Sequence, residues 1–293
     1  MLDEELQLVA GTAWLFARQD FAGFCDTLIV DEAGQVALAD VVAVGHVAPN
    51  LVFLGDPNQL PQVAQGMQPV EAKASVLQHL LGEETTVPPD RGIFLAETWR
   101  LRPELAAFTS DAYYAGRLAC ADVCARRSLA AGNGLVFRPV AHAGNTQQSA
   151  EEADEVAVAI RALLGTEYTD EHGRTRPLTE ADVLVVTPYN AQVRALRAKV
   201  PAGVRVGTVD KFQGQEAPVV IVSLASSSGE DAPRGLGFLF NRNRINVATS
   251  RAQCRVELVC SPRLLEADVK TVEQMQLVNA LCRFVELASK LPA

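Results

Sequence analysis

The chain has 293 residues, 48% of them hydrophobic, which is enough to bury one large core or, as we favour at this length, two smaller ones. Its net charge of -9 excludes a protein that coats nucleic acid through an overall basic surface, although a local basic groove remains compatible with it. No apolar run approaches the roughly 18 residues of a membrane span, the acidic start lacks an apolar signal core, and no cysteines are paired as Cys-x-x-Cys. These features predict a cytoplasmic protein without a membrane partner.

Short apolar runs alternate with stretches of helical period along the chain. We predict strands at residues 27–30, 51–54, 135–140, 183–186, 204–209, 219–224 and 256–259, and helices at residues 150–164, 191–200 and 271–291. Buried parallel strands separated by helices follow from this alternation, so the predicted fold class is α/β. In such folds ligands bind in the loops at the carboxyl ends of the strands.

One segment has the composition of a linker between domains. Residues 82–92 are rich in proline, glycine, threonine and charge, which is typical of a break in a globular chain. We therefore predict a first domain at residues 1–92 and a second at residues 93–293. A second polar, glycine-rich segment at residues 226–237 is expected to be a mobile loop.

Five segments carry the chemical signal of the chain. In chain order they are residues 28–34 (LIVDEAG), 54–60 (LGDPNQL), 97–103 (ETWRLRP), 208–216 (TVDKFQGQE) and 243–251 (NRINVATSR). Together they resemble motifs II to VI of superfamily 1 helicases, closest to the branch that translocates 5′ to 3′ on single strands. This resemblance implies RecA-like parallel sheets, with an incomplete first domain and a complete second domain that ends in a C-terminal helix.

The phosphate-binding loop of such helicases is missing from the sequence. It reads Gly-x-x-x-x-Gly-Lys-Ser/Thr, and its backbone N–H groups and lysine hold the phosphates of the nucleotide. No lysine of the chain follows a glycine, and the family places this loop upstream of motif II, where only thirty residues precede Asp31. We therefore expect the chain to be the C-terminal part of a larger enzyme. Residues 90–95 (DRGIFL) and 210–216 (DKFQGQE) favour a bacterial subgroup in which a RecB-like nuclease domain lies upstream.

Two adjacent carboxylates, Asp31 and Glu32, follow the first predicted strand. One carboxylate at such a position can hold Mg²⁺, directly or through water, and the other can accept a proton from the attacking water. Asp31 is the predicted Mg²⁺ ligand and Glu32 the predicted base. A solvated acidic pair is the alternative interpretation. The resemblance assigns Gln59, at the end of the next strand, to contact with the terminal phosphate of ATP, within a tight Asp-Pro-Asn turn.

The second predicted domain supplies the remaining nucleotide contacts. Phosphoryl transfer depends on cations placed at the terminal phosphate, and the resemblance gives this role to Arg100 and Arg251. Trp99 stands where many relatives have tyrosine and is expected to stack on adenine, with burial in the core as the alternative. Glu216 matches the acidic residue that accepts hydrogen bonds from the ribose, with a solvated strand start as the alternative.

A further set of residues resembles family positions that contact the phosphates and sugars of a single strand. Hydroxyls, amides and backbone N–H groups bind a strand in this way without reading its sequence. The alternative is that these residues only cap and turn the chain. The set consists of Thr187, Tyr189, Asn190, Thr208, Gln213 and Gly214.

Two functional hypotheses remain open from the sequence. The first is the C-terminal part of an ATP-dependent helicase or translocase that uses ATP and Mg²⁺ to move on a single strand, with DNA favoured over RNA. The second is a non-catalytic module that binds nucleic acid or a partner protein. The missing phosphate-binding loop favours the second hypothesis for this chain alone, whereas Glu32, Gln59, Arg100 and Arg251 favour an active parent enzyme.

Overall fold

The computed structural model describes residues 7–60, 74–82, 84–212 and 214–290 of the chain. It divides the chain into two compact units, Met1–Arg91 and Gly92–Ala293. The predicted linker at residues 82–92 contains this boundary. The interpretation of the two units as a partial and a complete RecA-like domain stays a prediction.

The first unit contains a small parallel sheet between short helices. Strands β1 (Thr27–Val30) and β2 (Asn50–Phe53) pair in register, with Val30 opposite Phe53. The α-helices of the described residues are α1 (Ala13–Phe16), α2 (Leu38–Val44) and α3 (Val76–Leu81). A capping box begins α3, because the Ser75 hydroxyl accepts from the Gln78 amide while the Gln78 side chain accepts from the Ser75 amide.

The sheet of the first unit leaves apolar side chains in solvent. Ile29 is 58% exposed, Leu51 39% and Val52 41%. Strands in parallel sheets are normally covered on both faces, so this exposure is unusual for the fold class. Apolar side chains on strands with unpaired edges favour pairing with other chains.

We expect the first unit to exchange its amide hydrogens faster than the second, or to drive aggregation. The reason is that few apolar side chains cover β1 and β2, and local opening of poorly buried strands costs little free energy. Hydrogen exchange on the soluble chain measures this difference. Slow exchange throughout residues 28–54 in a monomer would contradict the prediction.

The second unit is built on a six-stranded parallel sheet. The unit also contains short strands outside this sheet: β3, β4 and β5 have two residues each, and β7 and β8 have three residues each. In chain order the strands are β3 (Glu97–Thr98), β4 (Ala119–Cys120), β5 (Ser128–Leu129), β6 (Gly134–Pro139), β7 (Glu167–Thr169), β8 (Thr175–Pro177), β9 (Val183–Thr187), β10 (Arg205–Thr208), β11 (Ala217–Ser223), β12 (Ala252–Cys260) and β13 (Ser289–Lys290). The order in the large sheet is β10-β9-β11-β12-β6-β13, and every neighbouring pair is parallel. The predicted parallel α/β fold class is confirmed.

Helices cover both faces of this sheet. They are α4 (Pro103–Tyr113), α5 (Ala150–Leu163), α6 (Asn190–Arg197), α7 (Leu236–Leu239), α8 (Arg242–Ser250) and α9 (Val272–Leu287). Residues of α5 and α6 pack in one core with Val183, Val185 and Ile221, which share one face of their strands. All residues of β9 and β11 are buried, so the opposite face is covered as well.

The local structure differs from the sequence prediction in two places. The tail was predicted as one helix at residues 271–291, but α9 ends at Leu287, and Ser289 and Lys290 pair with Val136 and Phe137 of β6. The strands β5, β7 and β8 form an antiparallel sheet that was not predicted. Strands of two or three residues carry too few side chains to show a period.

No helix within the described ranges combines the length and the apolar character needed to cross a bilayer.

Candidate functional site

The predicted carboxylate pair lies at the end of β1 with both side chains exposed. The Glu32 amide donates to Oδ1 of Asp31 at 2.9 Å, and Gln35 Nε2 donates to Oε2 of Glu32 at 3.1 Å. Glu32 adopts a left-handed backbone conformation, with φ of 52° and ψ of 39°. Such a conformation is costly for a residue with a side chain and is concentrated at functional positions. The strained backbone therefore supports a functional role for Glu32.

The loop after β1 and the loop after β2 pack against each other through their backbones. The Ala33 amide donates to the Leu54 carbonyl at 2.8 Å. A Cβ atom on Gly34 would lie 2.7 Å from the Asp56 carbonyl oxygen, and one on Gly55 would lie 2.8 Å from the Ala33 nitrogen. Both positions therefore require glycine for this close approach.

Gln59 belongs to the same pair of loops. Its Nε2 donates to Oδ2 of Asp56 at 3.0 Å, while Oδ1 of Asp56 accepts from the Asn58 amide at 2.9 Å. This is the turn predicted from the Asp-Pro-Asn sequence. This loop packs against the backbone of Ala33 and Gly34, which directly follow the carboxylate pair. Gln59 and the carboxylate pair therefore lie on neighbouring loops of the same unit.

The donor set of this unit fits Mg²⁺. Asp31 and Glu32 present exposed carboxylate oxygens, and oxygen is the ligand that Mg²⁺ prefers. Mg²⁺ usually keeps several waters and binds through one or two carboxylates together with substrate phosphates. The sequence supplies these carboxylates, but it contains no Gly-x-x-x-x-Gly-Lys-Ser/Thr loop to hold the phosphates.

In the second unit, three sequence-distant segments meet around Glu216. Arg100 Nε donates to Oε2 of Glu216 at 2.5 Å, and Gln253 Nε2 donates to Oε1 at 2.8 Å. Arg100 Nη1 also donates to the Ser250 carbonyl at 3.2 Å, next to Arg251 in the chain. Burial alone would raise the pKa of Glu216, but the hydrogen bond and charge of Arg100 outweigh it and lower the pKa.

Arg251 and Trp99 occupy contrasting environments in the second unit. Arg251 is 4% exposed and lies between the end of α8 and the start of β12. Trp99 is 64% exposed, which excludes the alternative of a core tryptophan. The Trp99 side chain is therefore available for stacking on a ligand.

Arg127 is a residue that the sequence analysis missed. Its Nη1 donates to the carbonyl oxygens of Trp99 at 3.1 Å and Arg100 at 2.5 Å, and its Nε donates to Glu171 at 3.1 Å. The buried Arg127 guanidinium thus fixes the backbone that carries Trp99 and Arg100. No sequence pattern identifies Arg127, because it contacts Trp99 and Arg100 through their backbone carbonyls, and Glu171 lies outside the recognised motifs.

The predicted strand-binding residues gather mainly at the carboxyl edge of the sheet. Thr187 and Thr208 end the neighbouring strands β9 and β10 and are direct register partners. Tyr189 and Asn190 follow β9 and begin α6. Thr187 Oγ1 is buried and has no hydrogen-bond partner among the described residues. This atom therefore has unused hydrogen-bonding capacity.

The last two predicted residues, Gln213 and Gly214, lie between β10 and β11. Gly214 is exposed and has φ of 73°, a conformation that glycine adopts at low cost. Gln213 falls outside the described residues.

The two groups of the second unit lie at opposite edges of one sheet. Glu216 precedes β11 and Arg251 precedes β12, so both are at the amino ends of their strands. Thr187 and Thr208 are at the carboxyl ends. Glu216 and Arg251 therefore do not lie at the carboxyl ends of the strands, where several other predicted site residues fall. The loops that carry them are fixed by long-range contacts, which strand order alone does not predict.

A protein-family model for the AAA domain (AAA_12) matches residues 72–263, which is more than half of the chain. The chain belongs to this AAA domain family. The match extends through Trp99, Arg100, Glu216 and Arg251, so the second-unit cluster belongs to the AAA domain.

Two curated proteins that are similar to this chain are named helicases. The chain is 26% identical over 84% of its length to the putative helicase mov-10-B.1 of Danio rerio, covering 28% of that protein. It is 25% identical over 82% of its length to the DNA replication ATP-dependent helicase/nuclease JHS1 of Arabidopsis thaliana, covering 19% of that protein. The chain thus spans less than a third of the length of either relative.

Among solved structures, that of the PRRSV helicase aligns with this chain at 16% identity and a TM-score of 0.43. The alignment covers 88% of this chain and 50% of the helicase.

Proposed function

We propose that the chain is the C-terminal part of an ATP-dependent helicase or translocase that moves on a single strand, with DNA as the favoured substrate. The observation that carries the proposal is the meeting of Arg100, Glu216 and the Ser250–Arg251 backbone from three distant motifs in one cluster. The AAA domain match and the helicase names of the similar proteins support it. An upstream segment with a P-loop belongs to the same proposal.

The residues of the first unit would act on water and metal. Asp31 would hold Mg²⁺, which screens the charge of the nucleotide phosphates when bound. Glu32 would accept the proton of the attacking water, and its exposed carboxylate is accessible for this role. Gln59 would contact the terminal phosphate.

The residues of the second unit would hold the nucleotide and stabilise developing charge. Arg100 and Arg251 carry permanent charges suited to the terminal phosphate, and Trp99 offers an exposed ring for adenine. Glu216 would accept hydrogen bonds from the ribose. Its carboxylate is bonded to Arg100 and Gln253, so ribose binding requires an exchange of these partners.

A non-catalytic strand-binding module is the second candidate function. The observation that favours it is the lack of a Gly-x-x-x-x-Gly-Lys-Ser/Thr loop in the sequence. One end of the sheet brings together Thr187, Thr208 and Asn190. These residues could bind a strand in the absence of ATP. Strand binding is common to both candidates.

We expect the chain alone to bind a single strand but not to hydrolyse ATP, because it supplies no phosphate cradle. Phosphate release should equal that of the Glu32→Gln variant, with and without the strand. Strand-stimulated hydrolysis that Glu32→Gln abolishes would contradict this prediction. Joining a P-loop segment to the chain then separates the candidates. Strand-stimulated hydrolysis and strand displacement would support the helicase, whereas a folded, strand-binding protein without hydrolysis would support the module.

A further inference from the structure

Two guanidinium groups surround one phenylalanine beside the carboxyl edge of the second unit's sheet. The guanidinium carbon of Arg234 lies 4.7 Å from the ring centroid of Phe238, and that of Arg244 lies 4.3 Å from it. We propose that Arg234, Phe238 and Arg244 form a clamp that binds the phosphates of a single-stranded nucleic acid. This inference rests on the strand binding proposed above, and it adds Arg234 and Phe238, which lie outside the five motifs, to Arg244 of the segment at residues 243–251.

Among the described residues, no carboxylate neutralises the positive charges of the clamp. Neither Arg234 nor Arg244 forms a salt bridge with a carboxylate in the part of the chain that the structure describes. Arg138, in contrast, pairs with Glu155 at 2.8 Å and also with Glu257. Two adjacent uncompensated cations in a chain of net charge -9 attract an anion.

The ring of Phe238 fixes the guanidinium groups without using their hydrogen-bond donors. Arginine stacks on aromatic rings through its flat face, and the N–H groups on its edge stay available for phosphate oxygens. Arg234 is exposed and Arg244 is half-buried, so solvent reaches both. The ring of Tyr189 packs against the ring of Phe238, with the two ring centroids 5.5 Å apart. Tyr189 follows β9 and therefore supports Phe238 from a different segment of the chain.

The charges of the clamp affect the pKa of Tyr189. Burial raises the pKa of the Tyr189 phenol, and the positive charges of Arg234 and Arg244 lower it in part. Both guanidinium groups therefore lie near the side chain of a residue that was already predicted to contact a strand.

The clamp lies near residues that are predicted to bind the strand. Arg244 lies in the first turn of α8, and α8 leads into the amino end of β12. α8 lies on the connection between the neighbouring parallel strands β11 and β12, and such a connection runs back along the sheet, which directs the first turn of α8 toward the carboxyl ends of the strands. Tyr189 connects this turn to the end of β9, where Thr187 pairs with Thr208. Consecutive phosphates of a strand along this edge would supply one anion to each guanidinium.

Arg242 is excluded from the clamp although it is close in sequence. Its Nη2 donates to the Ala112 carbonyl at 2.8 Å, and its guanidinium lies 5.8 Å from the Tyr113 ring centroid. These contacts direct Arg242 toward α4.

The salt dependence of strand binding tests the clamp. The probe is a fluorescein-labelled oligothymidylate of about 15 nucleotides, whose anisotropy is measured with the full chain at several salt concentrations. For single strands each phosphate contact contributes about 0.7 to the slope of log affinity against log salt, so the Arg234→Ala/Arg244→Ala variant should lose about 1.4. The same relation predicts an affinity about 25-fold weaker near 0.1 M salt.

Charge-matched controls use arginines away from the carboxyl edge. Arg161 is exposed in the last turn of α5, and Arg126 is exposed at the end of the short 3-10 helix Asp122–Arg126. The Arg126→Ala/Arg161→Ala variant removes the same charge and should keep the slope. The Arg234→Lys/Arg244→Lys variant should also keep most of the slope, while Phe238→Leu should weaken binding because the arginines lose their support.

Each remaining outcome decides against the clamp in a distinct way. If the unaltered chain binds no strand, both the proposed function and the clamp fail. If the chain binds the strand but Arg234→Ala, which removes an exposed side chain, leaves slope and affinity unchanged, the clamp alone fails. If thymidine monophosphate at equal phosphate concentration displaces the strand as well as unlabelled oligothymidylate does, the site is one for mononucleotides and the clamp is again wrong.

Discussion

Alanine at Arg251 is expected to slow ATP hydrolysis by about 10³-fold or more in a protein that joins this chain to a P-loop segment. The same direction is expected for Arg100→Ala. Arg100 donates to the carbonyl of Ser250, so both arginines are positioned by the same turn of backbone. A cation that acts on charge developing in the transition state changes kcat far more than it changes ATP binding.

Single-turnover hydrolysis and the affinity for a fluorescent ATP analogue should be measured together for each variant. Arg251 is buried, so Arg251→Lys and a thermal unfolding curve are needed to separate lost chemistry from lost folding. Arg161→Ala, an exposed arginine on α5, serves as the charge control and should leave both quantities unchanged. Equal losses in binding and in rate would make the two arginines ground-state ligands instead.

Removal of the Glu152 side chain is expected to destabilise the second unit by about 3 kcal/mol or more. Glu152 is fully buried, and its Oε1 contacts His142 Nε2 at 3.0 Å. Its Oε2 accepts from the Ser223 hydroxyl at 2.6 Å and from the Ala225 amide at 2.9 Å. Glu152→Ala would leave these buried donors without their acceptor, which costs more than the bonds themselves contribute.

Urea unfolding of the chain, followed by circular dichroism, measures this loss. Asp154→Ala is the matched control on the same helix, because Asp154 forms an exposed ion pair with Lys199, and such pairs contribute about 0 to 1 kcal/mol. Glu152→Gln keeps the shape and one acceptor oxygen and should retain more stability than Glu152→Ala. A Glu152→Ala variant no less stable than Asp154→Ala would refute the structural role of this network.

The main strands of the fold could be predicted from the sequence because they form short, continuous apolar runs. The predicted strand at residues 27–30 coincides with β1, and the run at 183–186 differs from β9 by one residue. The strand Ser289–Lys290 could not be predicted, since its two residues become a strand only by pairing with β6. Local sequence carries no information about such a partner 150 residues away.

The sequence assigned the candidate site residues but did not reveal the contacts between them. Thr187 and Thr208 were assigned to one function, and their strands place them side by side. The bond between Arg100 and Glu216 joins residues 116 positions apart, which no spacing rule reveals. Glu152 belongs to an acidic stretch that is typical of a solvated helix, but its side chain is fully buried. The segment at residues 226–237 was expected to be a mobile loop, but its first two residues are buried serines. Tertiary packing decided both cases.

The exposure of Trp99 also makes the chain its own optical probe. The sequence contains two tryptophans, Trp14 in the first unit and Trp99 in the second, and they are 86% and 64% exposed. Indole emission shifts to longer wavelength in water and responds when a stacked ring excludes solvent. A Trp14→Phe chain would therefore emit from Trp99 alone, so titration with nucleotide could be followed at the predicted adenine contact without any attached label.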